Sequence, residues 1–283
     1  MARNPTAGAQ PEGAQDEASA AVAVRQMFNT IAPRYDLLNH VLSANIDRLW
    51  WWRAARRFRG VLSRPEASIL DVCCGTGDMT MALLKRRPRS GDARPVLAAD
   101  FAHEMLRRGA RKFGPRGAIA IEADALRLPL RAASMDLVTT AFGFRNLANY
   151  RAGLEEFYRV LKPGGELGIL DFSEPSGVLG KMYQVYFRRV VPAIGRVLCG
   201  DGGPYEYLPA SVSRFPAPAE LMALMKSVGF CEVQWTSYSF GIAGLYTAVR
   251  GRDQSKPGQP EPGQSEPRQT ASGAGTSHDF HIG

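Results

Sequence analysis

The chain has 283 residues, 45% of them hydrophobic and 22% charged, which is ordinary globular usage at a length for one large domain or two small ones. Its formal net charge is +8; residues 1–24 contribute −2 and residues 251–283 contribute −1, so the body between them carries +11. Such a body favours nucleic acid, anionic lipid or an anionic substrate, unless it is only a solvated basic face. No stretch of eighteen apolar residues and no charged-then-apolar leader occurs, so a cytoplasmic protein is expected, with the inner face of the plasma membrane as its nearest membrane contact. The four cysteines, at 73, 74, 199 and 231, lack paired CxxC spacing, and no metal site is expected.

Residues 1–20 hold no large aliphatic or aromatic residue after Met1, and residues 251–283 are mostly Gly, Pro, Ser, Gln and Thr. Neither stretch can bury enough apolar surface to offset the entropy of ordering it. Residues 1–21 and 251–283 are therefore expected to be disordered tails around one domain at 22–250. Met27–Ser43 is expected to form helices that lid a pocket. Trp50, Trp51 and Trp52 follow, beside Arg53, Arg56, Arg57 and Arg59, and residues 181–198 again mix aromatics with Lys181, Arg188, Arg189 and Arg196. Such helices suit lipid headgroups; they equally suit packing on a sheet or on a second subunit of a homodimer. From Ser68 onward, short apolar runs alternate with helical spacing. Strands are predicted at 68–73, 95–99, 118–121, 135–142, 166–172, 231–240 and 245–249. Helices are predicted at 78–87, 102–113, 150–161 and 217–228. This alternation describes an α/β fold, a doubly wound, mostly parallel seven-stranded sheet. The short connection Gly241–Gly244 makes the last two strands a hairpin, so one strand runs antiparallel.

In such sheets ligands sit beyond the carboxyl ends of the strands. The first strand ends in Asp71-Val72-Cys73-Cys74-Gly75-Thr76-Gly77-Asp78. Gly75 and Gly77 allow close backbone approach, but the third glycine of a dinucleotide fingerprint is missing, since Met79, Thr80 and Met81 follow. An acid four positions before the first glycine is instead the pattern of sites for the cationic aminoacid end of S-adenosylmethionine. The alternative is a ligand-free turn. Asp100, at the end of the second strand, suits two ribose hydroxyls, and Asp124, after the third, suits an adenine amino group. Each alone could be a helix cap.

The segments DVCCGTGD, AADFAHEML, EADALRLPL, FGFRN and YRVLKPGGELGILDFSEP resemble the class I methyltransferases, specifically the menaquinone/ubiquinone biosynthesis C-methyltransferase family. MFNTIAPRYDLLNHVLS and YEYLPASVSRFP are similar to the same family beyond the generic fold, and the resemblance covers about residues 24–250. It implies S-adenosylmethionine contacts at Thr76, Asp100, Asp124 and Ala125. A further family position, often Ser, is Ala141 here, without the hydroxyl. It also implies C-methylation of a prenylated quinol, demethylmenaquinol in preference to the benzoquinol of ubiquinone synthesis. A family Arg-Tyr-Asp motif over the acceptor maps to Arg34, Tyr35 and Asp36. For a phenolate-forming acceptor, Arg145 can supply charge and Asn146 a hydrogen bond, with Tyr35 as a further partner. The alternative for Arg145 is a structural ion pair, and for Tyr35 a packing aromatic. A nucleic-acid methyltransferase is disfavoured, because Ala141-Phe142-Gly143-Phe144 stands where amino-group methylases carry Asp/Asn-Pro-Pro-aromatic. A non-enzymatic quinone- or lipid-binding module is the remaining alternative.

Overall fold

Seven short apolar segments pair into one sheet in the order β3-β2-β1-β4-β5-β7-β6. They are β1 (Ile69–Val72), β2 (Val96–Asp100), β3 (Ala118–Glu122), β4 (Met135–Ala141), β5 (Leu161–Phe172), β6 (Phe230–Tyr238) and β7 (Ala243–Arg250). The computed structural model of the chain describes residues 8–11, 13–33, 35, 43, 45–89, 91–175 and 203–251. Arg34, Asp36, the basic aromatic stretch 181–198 and residues 252–283 of the expected C-terminal tail lie outside the described residues.

Strands β3 through β5 are parallel, and β7 runs antiparallel to both β5 and β6. The expected architecture, one reversed strand included, is therefore the observed one. β1 is buried along its whole length, as a central strand covered on both faces must be. Its residues alternate between two layers of core: Leu70 and Val72 meet one cluster, Ile69 the other. Helices α6 (Tyr150–Val160) and α8 (Pro218–Val228) supply the first layer through Leu154, Phe157, Leu221 and Met225. Helices α2 (Ile46–Arg57), α4 (Asp78–Leu84) and α5 (His103–Phe113) supply the second through Ala54, Leu83 and Leu106. Between α2 and α4 a single turn, α3 (Arg59–Leu62), buries Val61 and Leu62.

Strand β5 begins at Leu161, five residues before its predicted start. Leu161 pairs with Met135 of β4, and Lys162, Pro163, Gly164 (φ +80) and Gly165 bulge out before the ladder resumes at Glu166 opposite Leu137. Glycine is indispensable at Gly77, which caps α4 in the left-handed region (φ +87), where an added Cβ would overlap the Phe113 ring.

The amino-terminal region corrects the expected boundary at residue 21. Helix α1 (Glu17–Ile31) starts inside the stretch expected to be disordered. Asp16 accepts from the Ser19 amide at 2.7 Å while Ser19 Oγ accepts from the Asp16 amide at 3.0 Å, a reciprocal cap. Ala20 and Val24 are buried. Phe28 and Ala32 pack with Ala102 and Met105 beside α5, and Asn29 Oδ1 accepts from the Glu104 amide, capping α5. Farther out, the Ala9 amide donates to Leu147 O at 2.7 Å, and Arg214 donates to the Gln10 carbonyl. Small residues order here because polar caps and backbone pairing, not bulk, hold the segment. Among the described residues, no helix is long and apolar enough to cross a membrane.

Candidate functional site

The strand order reverses between β1 and β4, and a cleft opens at that reversal. Loops after β1, β2, β3 and β4 contribute Gly75 and Thr76, Asp100 and Phe101, Asp124 and Ala125, and Ala141 and Asn146. Six predicted cofactor positions (Gly75, Thr76, Asp100, Asp124, Ala125 and Ala141) thus meet in one cleft. Two do not line it: Asp71 and Gly77.

Alternation along β1 puts Asp71 on the same face as Ile69, under α4. There its carboxylate is fully buried and accepts from Thr80 Oγ1 at 2.6 Å and Thr139 Oγ1 at 2.9 Å. Burial raises its pKa to about 7 against these two bonds. Asp71 therefore ties β1, β4 and α4 together behind the glycine loop, and its expected cofactor contact is corrected to an indirect one. Gly77 likewise acts from beneath, by making room for Phe113.

Asp100 faces the cleft at 7% exposure. Its Oδ2 accepts from the Gly75 amide at 2.7 Å and its Oδ1 from the Ala102 amide at 2.8 Å. Each oxygen keeps a further lone pair for a ligand hydroxyl. Burial raises its pKa to about 6, and the bonds from Ala102 and Gly75 only partly offset this. Asp124 Oδ1 accepts from the Leu126 amide at 2.9 Å, closing the turn after β3. On the β4 side, Gly143 lies so close to Cys73 that an added Cβ would overlap the cysteine Cβ. Cys73 itself holds a left-handed φ of 54°. Three aspartates, Asp78, Asp100 and Asp124, and no lysine or arginine are among the described residues of the wall. The cleft is acidic inside a basic protein.

Above the sheet the wall turns aromatic. Phe28 and Tyr35 meet edge to face at 6.1 Å, and Trp51 and Phe142 at 6.5 Å. Ala21 and Phe28, seven residues apart on one face of α1, both reach the cleft; Phe28 falls in the segment expected to lid a pocket, whereas sequence reasoning missed Ala21, although that spacing carried the signal. The tryptophan run divides. Trp50 and Trp51 are buried, Trp50 Nε1 donating to Ser239 Oγ at 2.8 Å, whereas Trp52 is 47% exposed.

Of the predicted catalytic residues, Tyr35 and Asn146 line the cleft and Arg145 does not. The Arg145 guanidinium donates to Asp171 Oδ1 at 2.9 Å and to the Phe142 carbonyl, and its backbone amide donates to Asp171 Oδ2 at 3.0 Å. Burial opposes its charge, but Asp171, Tyr35 and Tyr207 together outweigh burial, so its pKa is raised. Arg145 thus makes the structural ion pair, the alternative reading of the sequence, and it lies off the cleft wall. Tyr150 Oη donates to the Arg145 carbonyl at 3.0 Å, and in helix α7 (Gly203–Arg214) Tyr207 Oη donates to Asn146 Oδ1 at 3.2 Å. Together these bonds fix the 142–146 loop and turn Asn146 toward the cleft.

The family model described as the ubiE/COQ5 methyltransferase family matches residues 14–250. A demethylmenaquinone methyltransferase of Deinococcus radiodurans is 44% identical over 228 residues, covering 79% of this chain and 91% of the relative. One from Thermus thermophilus is 45% identical over 227 residues, covering 79% and 100%. A ubiquinone/menaquinone biosynthesis C-methyltransferase of Geotalea daltonii is 42% identical, covering 80% and 96%. Among solved structures, a SAM-dependent methyltransferase of Thermotoga maritima aligns at TM-score 0.56 and 20% identity, covering 80% and 99%. The [4+2]-cyclase SpnF aligns at 0.57 and 14% identity, covering 87% and 99%. These two likenesses concern the fold alone, and the second shows it hosting other chemistry.

Proposed function

Because the chain belongs to the ubiE/COQ5 methyltransferase family, we propose that it methylates a ring carbon of demethylmenaquinol, a prenylated quinol, using S-adenosylmethionine. The observation that carries this reading is an acidic cleft without a cationic side chain in its described wall, roofed by aromatic rings. Carboxylates at Asp100 and Asp124 suit a cofactor that is cationic and free of phosphate, and they repel a pyrophosphate. The donor set therefore fits S-adenosylmethionine. Asp100 would hold the ribose hydroxyls, Asp124 the adenine amino group, and the Gly75–Thr76 backbone the aminoacid end. Ala125 and Ala141 give apolar walls.

When bound, S-adenosylmethionine supplies an electrophilic methyl carried on a sulfonium. The chain's own task is to orient the acceptor ring and manage its hydroxyl proton. Phe28, Trp51 and Phe142 offer flat apolar surfaces that exclude water from a ring lying between them. Tyr35 and Asn146 are the polar groups placed to hold the quinol oxygen. Asn146 Nδ2 gives one hydrogen to the Phe142 carbonyl and keeps the other for the quinol oxygen, while its Oδ1 accepts from Tyr207. Arg145 is a positioning residue: it anchors the loop that carries Asn146. Because a prenyl tail partitions into lipid, the enzyme meets its acceptor at a membrane surface.

Label from S-adenosyl-[methyl-14C]methionine should pass to chemically reduced demethylmenaquinol and not to the oxidised quinone. Transfer to a benzoquinol in preference would move the acceptor assignment, and transfer to nucleic acid with neither quinol labelled would overturn the reading.

A further inference from the structure

One face of the molecule joins exposed hydrophobic side chains to a cluster of cations. On α2 the outward side chains Ile46, Leu49 and Trp52 are 43%, 50% and 47% exposed. At 3.6 residues per turn they share the side opposite buried Ala54 and Ala55, and the other exposed residues of the helix, Arg48, Arg53, Arg56 and Arg57, are all arginines. Arg56 and Arg86 both place their guanidinium groups over the Trp52 ring, at 5.2 and 5.4 Å. The turn Ser239–Gly241 lies beside the helix, because Trp50 bonds Ser239 and the Arg53 guanidinium covers Tyr238 at 4.4 Å. From this turn Phe240 projects at 85% exposure. Both Ser239 and Phe240 hold left-handed backbone, at φ 46° and 59°. A bulky residue in that region is a strained outlier, and strain kept to expose an aromatic ring points to a use for the ring. Beside Trp52 a groove lined by Arg48, Lys85, Arg86 and Lys112 shares two residues, Trp51 and Asp78, with the cofactor cleft.

We propose that the outward face of α2 and the Ser239–Gly241 turn dock on an anionic phospholipid surface, with Leu49, Trp52 and Phe240 entering the interface and the arginines meeting headgroup phosphates. This rests on the reading of the acceptor as a prenylated quinol and names the surface across which that acceptor is met. Charge complementarity favours lipid as the occupant. A second copy of the chain would set like-charged arginines against each other, whereas an anionic leaflet neutralises them and accepts the apolar tips. Docking here puts Trp52 against the bilayer while its neighbour Trp51 walls the cleft, so a tailed ring has a short path from lipid to site.

Sedimentation of the full chain with phosphatidylcholine vesicles, with and without phosphatidylglycerol, tests this without any substrate. The wild-type chain should be retained on the anionic vesicles, less so at high salt, and weakly on neutral ones. The double variant Leu49→Ser/Phe240→Ser should lose roughly tenfold or more in vesicle affinity, with unchanged cofactor affinity and melting temperature. It should methylate a short-tailed, water-soluble quinol normally and a long-tailed quinol in vesicles poorly. Absence of wild-type retention, or variant retention equal to wild type, overturns the proposal. So does a shift from dimer to monomer in the variant, which would make the face a subunit interface. Failure of quinol methylation in both formats would count against the acceptor assignment instead, since retention on vesicles is read independently.

Discussion

Arg145 and Asp171 form an ion pair with side chains 6% and 0% exposed. Removing one partner strands the other, which typically costs about 3–5 kcal/mol, whereas replacing both with apolar groups is often neutral. Arg145→Ala should therefore unfold at markedly lower urea concentration, and Arg145→Met with Asp171→Leu should regain only part of that stability, because Asp171 also accepts from the Arg145 and Phe172 amides. Urea unfolding beside single-turnover methylation checks this: a stable Arg145→Ala variant with a slow chemical step would return Arg145 to the mechanism. Asp100 gives a pH signature. Its pKa is raised to about 6 in the fold, above the unfolded value, so the fold favours the protonated acid. Its contribution to stability is present below the unfolded pKa and is lost as pH rises through about 6. Cofactor binding runs the opposite way, because ribose hydroxyls and a cationic ligand prefer the carboxylate. Affinity for S-adenosylmethionine should rise from pH 5 to about 7 and then level off. Asp100→Asn should bind more weakly by about 1.5–3 kcal/mol at neutral pH and show no such rise. Titration calorimetry across pH decides it, and an unchanged slope in the variant would release Asp100 from its role.

The strap at residues 8–11 falls in the tail expected to be disordered, yet its bonds to Leu147 and Arg214 tether it beside the cleft, and α1, bonded to Glu104, walls the cleft through Ala21 and Phe28. Deleting residues 1–16 removes the Asp16 cap and the Ala9 pairing but leaves every sheet strand intact. Cofactor dissociation should accelerate several-fold with little change in melting temperature, measured by stopped-flow fluorescence of the cleft tryptophan. An unaltered off-rate would reduce the strap to decoration. The elements differ in how far the sequence discloses them. Strands such as β1 and β4 are legible because burial makes them short and mostly apolar, and Asp100 and Asp124 because acids recur just past successive strands of one sheet. Asp171 is written as plainly in Leu170-Asp171-Phe172, yet its claim on Arg145 depends on β5 lying next to β4, a relation between strands. The same holds for Asp71, whose direction follows from the alternation of β1 and whose partner Thr80 lies on a helix. Caps made of Asp16, Ser19 and Asn29 were hidden for another reason: hydrophobic periodicity does not register them.

At the scale of the whole molecule, the net charge of +8 and the acidic cleft are of opposite sign, so the proposed docking would set the outside on an anionic surface while the inside holds a cation. The sheet divides as cleanly as the charge. Strands β1–β3 all lie on one side of the order reversal and β4–β7 on the other, and the pairing of Ile69–Asp71 with Leu137–Thr139 is the seam. Between β3 and β4 the chain passes through the exposed residues Arg131, Ala132 and Ala133. A cut there would leave two pieces that each own a contiguous half-sheet: one with Asp100 and Asp124, the other with Ala141 and Asn146. Neither piece encloses the cleft. Co-expressed as residues 1–131 and 132–283, the pieces should reassemble, and S-adenosylmethionine, touching both, should tighten their association by mass action. Pull-down of one tagged piece with the other, with and without the cofactor, would show it, and indifference to the cofactor would place its binding on one half alone. The enzyme would then behave as a two-part complementation sensor, its small-molecule ligand acting as the glue.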